Sequence, residues 1–71
     1  MTKQQLTVNQ VLKLAGDYIR AGNLREGERL YLQIVEQKPQ EVVAIYNLGA
    51  CLLMQGRVKE ALPWLERAYK L

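Results

Sequence analysis

The chain has no histidine, no serine and a single cysteine, Cys51. Acid–base and nucleophilic catalysis need titratable or activated groups converging in a pocket, and the usual carriers of that chemistry are missing. The sequence therefore reads as non-enzymatic. One cysteine excludes an intrachain disulfide, and one cysteine without histidine leaves no metal site or cofactor ligand set. Apolar runs such as Cys51–Met54 fall far short of the roughly 18 residues that a membrane span needs, and the polar start MTKQQ is no signal peptide. No membrane role is expected. A soluble, cytoplasmic protein is, and the free thiol fits a reducing compartment.

Charge of one sign is also scarce. The net charge is +3, with Lys and Arg scattered among Glu and Asp rather than gathered in a run, which describes a solvated surface and not a nucleic-acid footprint. A chain of 71 residues makes one domain that buries only about 60% of the surface it exposes when unfolded. Lacking disulfide and metal, it needs neighbouring repeats or a second copy for support.

What is present is periodicity. Displacing the chain by 34 residues sets Val8 on Val42, Leu14 on Leu48, Gly22 on Gly56 and Glu26 on Glu60. A self-match at that period signals a stacked array. Residues 1–7 read as a frayed leader and helix cap, 8–41 as a first repeat and 42–71 as a second. Thr7 and Gln10 form a capping box, with Leu6 and Val11 as a staple across it. Helix one is predicted to run to about Ala21 on the apolar stripe Val8, Val11, Leu12, Ala15, Tyr18 and Ile19, and Gly22 ends it. Asn23 caps helix two, which runs to Gln37 or Lys38 before Pro39. Gly27, unfavourable in a helix by about 1 kcal/mol relative to alanine, implies a neighbour too close for a methyl group, and Ile34 is read as the compensating volume. Helix three spans about 41–55 and helix four about 58–71, with Gly56 between them and a kink expected at Pro63. Short links at Gly22-Asn23 and Gly56-Arg57 make each pair antiparallel.

The pattern Ile45-x2-Leu48-Gly49-x2-Leu52, Gly56, Ala61-x3-Leu65-x2-Ala68 resembles the tetratricopeptide repeat. The first copy, Val11-x2-Leu14-Ala15-x2-Tyr18, Gly22, Gly27-x3-Tyr31-x2-Ile34, closes at Pro39. The resemblance implies an all-α, right-handed helical repeat of two units and four helices, which binds a protein or peptide on a concave wall built from helices one and three. Transferred position by position, that wall comprises Asn9, Leu12, Lys13, Gly16, Ile19 and Arg20, then Val43, Tyr46, Asn47, Ala50, Leu53 and Met54. Leu12 and Gly16 stand where the heat-shock-tail clamps of the family need Lys and Asn, and Asn47 alone matches, so that clamp is disfavoured. The mostly apolar wall suits an amphipathic helix or an extended apolar peptide, with Lys13 and Arg20 facing an acidic flank. Filling of the groove by the protein itself is the competing reading.

Two other groups of residues are weighed. Cys51 sits where helix three needs a small buried residue rather than a reactive thiol, and Asp17, Glu26, Glu28 and Glu60 read as helix-surface and helix-start acids. Helix four shows a wide apolar arc of Leu62, Trp64, Leu65, Tyr69 and Leu71, more than one partner helix covers. It is expected to be a self-association face or the seat of further repeats. Two alternative functions stay open: a non-catalytic N-terminal segment of a larger bacterial-type enzyme, such as a glycosyltransferase or methyltransferase, and a weak nucleic-acid or anionic-surface binder.

Overall fold

A computed structural model describes residues 6–71, so the frayed leader expected at residues 1–5 lies outside it. The chain forms four helices, α1 (Val8–Arg20), α2 (Leu24–Gln37), α3 (Val42–Met54) and α4 (Val58–Lys70), with no strand among the described residues. Each helix packs on the next in sequence, giving two antiparallel pairs stacked through α2 and α3.

Local signals explain each boundary. The Thr7 hydroxyl accepts from the Gln10 amide at 3.1 Å, and the Gln10 side chain accepts from the Thr7 amide at 2.8 Å, so both donors at the start of α1 are satisfied. Leu6 and Val11 both line a hollow beside the cap, together with Val8 and Ile34. At the far end, the Asn23 amide donates to the Tyr18 carbonyl at 2.8 Å and the Gly22 amide to that of Ile19 at 3.0 Å. The same pair of bonds recurs after α3, from Arg57 to Leu52 at 2.9 Å and from Gly56 to Leu53 at 2.8 Å. These are two Schellman motifs, and each requires a left-handed residue just past the helix. Gly22 and Gly56 supply it with φ of 85° and 77°.

The residue after each glycine is shared between two helices. Asn23 closes α1 and then caps α2, its side chain accepting from the Glu26 amide at 3.4 Å. Arg57 holds the corresponding place before α4 and makes no side-chain cap. Pro63 lies inside α4, which nevertheless continues as one helix from Val58 to Lys70.

Ala15, Leu30, Tyr31, Ile34, Val35, Ala44, Ile45, Leu48, Leu52 and Ala61 form the core. Burial of Ile45 and Leu48 stabilises the fold by roughly 1.5 to 3 kcal/mol apiece. Small residues meet where the helices of each pair cross. A methyl group on Gly27 would lie 2.4 Å from Ile19 Cδ1 and 3.3 Å from the Ala15 carbonyl. In the second pair the roles are exchanged: a methyl on Gly49 would lie 2.6 Å from Leu65 Cδ2 and 3.4 Å from the Ala61 carbonyl. The close neighbour expected at Gly27 is therefore real, but its compensating volume comes from Ile19 and not from Ile34, which packs in the core.

Replacing Gly56 with valine forces a β-branched residue into a left-handed conformation, and is expected to cost on the order of 1 kcal/mol or more. Nothing lies within 4 Å of the new Cβ, so any loss of melting temperature in Gly56→Val reports backbone strain and not a clash.

Candidate functional site

Helix α3 differs from the other three because it carries no charged residue from Val42 to Met54. One side, Ala44, Ile45, Leu48, Cys51 and Leu52, is buried in the core. Its other side leaves Val43, Tyr46, Leu53 and Met54 exposed at 47, 57, 42 and 59%. Helices apolar on all sides are ordinarily buried ones, and here one side of α3 is not.

The expected wall residues divide by environment. Lys13 and Arg20 are exposed, and both pair with Asp17, Lys13 at 3.3 Å. Hydrogen bonds from Lys13 and Arg20 hold the Asp17 carboxyl below its ordinary range, so the two cations reach the α1 side of the wall already partly neutralised. Leu12, Gly16, Asn47 and Ala50 are half-buried. A methyl on Gly16 would touch the Arg20 guanidinium at 3.5 Å and the Tyr31 hydroxyl at 4.0 Å. The Tyr31 hydroxyl thus lies beside α1 at Gly16. Burial pushes its phenol up, the buried Cys51 adds to that, and the facing Asn47 amide and Arg20 guanidinium oppose it. Ile19 turns instead toward α2, against Gly27.

Along α4 the expected arc splits. Trp64 and Leu65 pack against the core, Leu65 over Gly49. Arg67 lies 5.6 Å from the Trp64 ring centre and donates to the Pro39 carbonyl at 2.6 Å, tying α4 to the inter-repeat turn. Leu62, Tyr69 and Leu71 remain exposed, Tyr69 at 91%. Between this helix and α3 runs an open apolar groove of about 550 Å³, lined by Val42, Val43, Tyr46, Asn47, Leu65, Ala68 and Tyr69.

Reading the sequence missed the joint between the repeats. Glu28 accepts from Gln55 Nε2 at 3.0 Å and from Arg57 Nη1 at 2.8 Å, while Arg57 grips Glu60 through Nε at 3.1 Å and Nη2 at 2.6 Å. Glu28 is a clasp across two repeats and not a helix-surface acid. The available signal was Arg57 itself, a poor capping residue standing where the first repeat has Asn23. Burial alone pushes the Glu28 carboxyl up, but the Gln55 and Arg57 hydrogen bonds and the charges of Arg57 and Arg25 outweigh it and leave it below the ordinary range. Cys51 lies beside this joint, 1% exposed, its thiol donating to the Leu24 carbonyl at 3.2 Å. Burial pushes that thiol up and keeps it protonated. Among the described residues no cluster of three His, Cys, Asp or Glu could hold a metal, and no helix is long and apolar enough to cross a membrane.

Four helices in two equivalent pairs, hinged at Gly22 and Gly56 and stacked through α2 and α3, define a helical-repeat protein. The tetratricopeptide-repeat family model matches residues 12–71, and the chain belongs to that family. Its general role is that of a protein–protein interaction module.

Because the native carboxyl of Glu28 sits below the unfolded value near 4.5, its contribution is complete above that pH and is lost as pH falls through the native value. Glu28→Gln is expected to cost ~1 kcal/mol at neutral pH, or roughly 4 to 8 °C in melting temperature. In thermal melts the gap from wild type narrows as the pH drops toward about 3. A gap that is constant with pH removes the ion pair as its cause.

Proposed function

We propose that the chain binds a peptide or helix of a partner protein on the wall formed by α1 and α3, with the α3 half supplying most of the contact. The carrying observation is the one-sided cover of α3. Val43, Tyr46, Leu53 and Met54 stand in solvent on a helix with no charge along its length, and large apolar side chains each contribute roughly 1.5 to 3 kcal/mol when fully buried. Such a surface is satisfied by an apolar ligand face and gains little from charge.

The α1 half is chemically different. Lys13, Asp17 and Arg20 form an exposed ion-paired cluster with one net positive charge, which is suited to orienting an acidic flank of the ligand more than to binding it tightly. Exposed ion pairs of this kind are worth little individually. Affinity is therefore assigned to α3 and orientation to α1.

The test compares proteins captured from the source cells by the immobilised chain and by its Tyr46→Ala/Met54→Glu double variant. Both side chains are more than half exposed, so helix content measured by circular dichroism stays unchanged. Proteins bound through the wall are lost from the variant, with affinity down at least tenfold on purified partner, as expected when two apolar anchors go. Retention of the same proteins at unchanged affinity places the binding site elsewhere.

A further inference from the structure

The two helix pairs are joined by chain at one end and by side chains alone at the other. Residues 38–41 link α2 to α3, and at that same end Arg67 Nη2 of α4 donates to the Pro39 carbonyl at 2.6 Å. Among the described residues, the other side-chain hydrogen bonds between the pairs all fall at the opposite end, where α2 begins and α3 finishes. Cys51 Sγ donates to the Leu24 carbonyl at 3.2 Å, and one oxygen, Glu28 Oε1, accepts both from Gln55 Nε2 at 3.0 Å and from Arg57 Nη1 at 2.8 Å. Arg57 Nη1 also donates to Gln55 Oε1 at 3.1 Å, which closes a ring of three side chains.

We infer that this ring is the latch of a hinge: the second pair swings from the first about residues 38–41 and uncovers Cys51 while both pairs stay folded. Opening strands no buried charge. Arg57 keeps Glu60, which it holds through Nε at 3.1 Å and Nη2 at 2.6 Å, and Glu28 and Gln55 pass into water, which replaces the bonds they lose. The tight crossings that hold each pair together, Gly27 on Ala15 and Gly49 on Ala61, lie inside the pairs and are untouched by the motion. Ile34 and Val35 are buried within about one helical turn of the link, so a wedge that parts the latch end first leaves them covered.

The backbone at the second hinge points the same way. Asn23 and Arg57 adopt the same conformation before their helices, φ −92° and ψ 73° against φ −94° and ψ 67°, yet only Asn23 caps its own helix. Arg57 reaches across to the other pair instead, which serves the joint and not α4. Because α1 belongs to one pair and α3 to the other, the same motion changes the spacing across the wall they form. That consequence rests on the wall reading. The latch does not, since Glu28, Cys51, Gln55 and Arg57 all lie outside the wall.

The test reads Cys51 with excess dithiodipyridine, an uncharged disulfide whose exchange with the thiol releases a coloured thione, across a series of low urea concentrations. Each rate is divided by that of a peptide of residues 48–54 in the same solution, which gives the open fraction. For the wild-type chain that fraction is expected to exceed the globally unfolded fraction and to rise with urea on a much shallower slope, because a parted latch exposes little surface. Glu28→Gln is expected to raise it about fivefold, the size of a modest polar contact. Arg57→Asn is expected to raise it by a similar factor while asparagine, capping α4 as Asn23 caps α2, offsets the loss in melting temperature. Thr7→Ala removes the α1 cap away from the joint, and is expected to lower the melting temperature without changing the open fraction. A urea slope equal to that of global unfolding overturns the inference. So does the absence of acceleration in Glu28→Gln or in Arg57→Asn, or acceleration in Thr7→Ala that matches its loss of global stability.

Discussion

Two helix crossings that leave no room for a methyl group constrain everything else in this fold. At each, one glycine faces one alanine: Gly27 against Ala15 in the first pair and Gly49 against Ala61 in the second. Backbones that approach so closely need a large side chain beside the crossing to fill the remaining volume, because interiors tolerate few voids. Ile19 fills it in the first pair and Leu65 in the second. Those two assignments decide what is left for binding. Ile19 is drawn away from the concave wall, and Leu65 becomes part of a groove floor instead of an exposed apolar residue.

The joint between repeats follows from the hinges. Each Schellman turn leaves one residue that ends one helix and starts the next, and its chemistry differs between the repeats. Asn23 spends its side chain on its own helix, bonding the Glu26 amide. Arg57 spends its side chain on Glu28 in the other repeat as well as on Glu60 nearby. The second hinge therefore has no side-chain cap but gains a clasp, with Gln55 completing the cluster. Side-chain exposure of 27% for Arg57 and 18% for Glu28 sets this pair apart from the more exposed Lys13–Asp17 and Arg29–Glu26 pairs, which contribute little.

The repeat, the four helices, both hinges and the Thr7 box were legible in the sequence because each rests on local chemistry: a left-handed glycine, a hydroxyl three residues before an amide, an apolar stripe at helical spacing. The family match over residues 12–71 agrees with that reading. The Glu28 clasp was not legible, since its partners lie 27 and 29 residues away and an acid on an amphipathic helix looks the same whether or not it is bridged. The direction of Ile19 was hidden for a related reason. At that point of α1 the apolar stripe is wide enough to serve either the wall or the crossing, and only the glycine on the opposing helix decides. Trp64 likewise belongs to the arc by angle and to the core by packing, held down by Arg67 and the inter-repeat turn.

The two ends of the stack differ in what they ask of a neighbour. Of the twelve exposed large apolar residues among those described, nine fall between Val42 and Leu71, and only Leu6, Leu14 and Leu32 precede them. The first helix meets solvent with Asn9, Gln10, Lys13, Asp17 and Arg20, of which Gln10 is bonded into the cap and Lys13 and Arg20 are paired with Asp17. A neighbour packed there has to desolvate polar and charged groups, which costs free energy unless it bonds them in turn. The α3–α4 groove is lined by Val42, Val43, Tyr46, Leu65, Ala68 and Tyr69 with Asn47, and carries no charged side chain. Apolar burial is favourable along the α3–α4 groove and less so along the charged face of α1, so the two helix pairs offer surfaces of different chemistry.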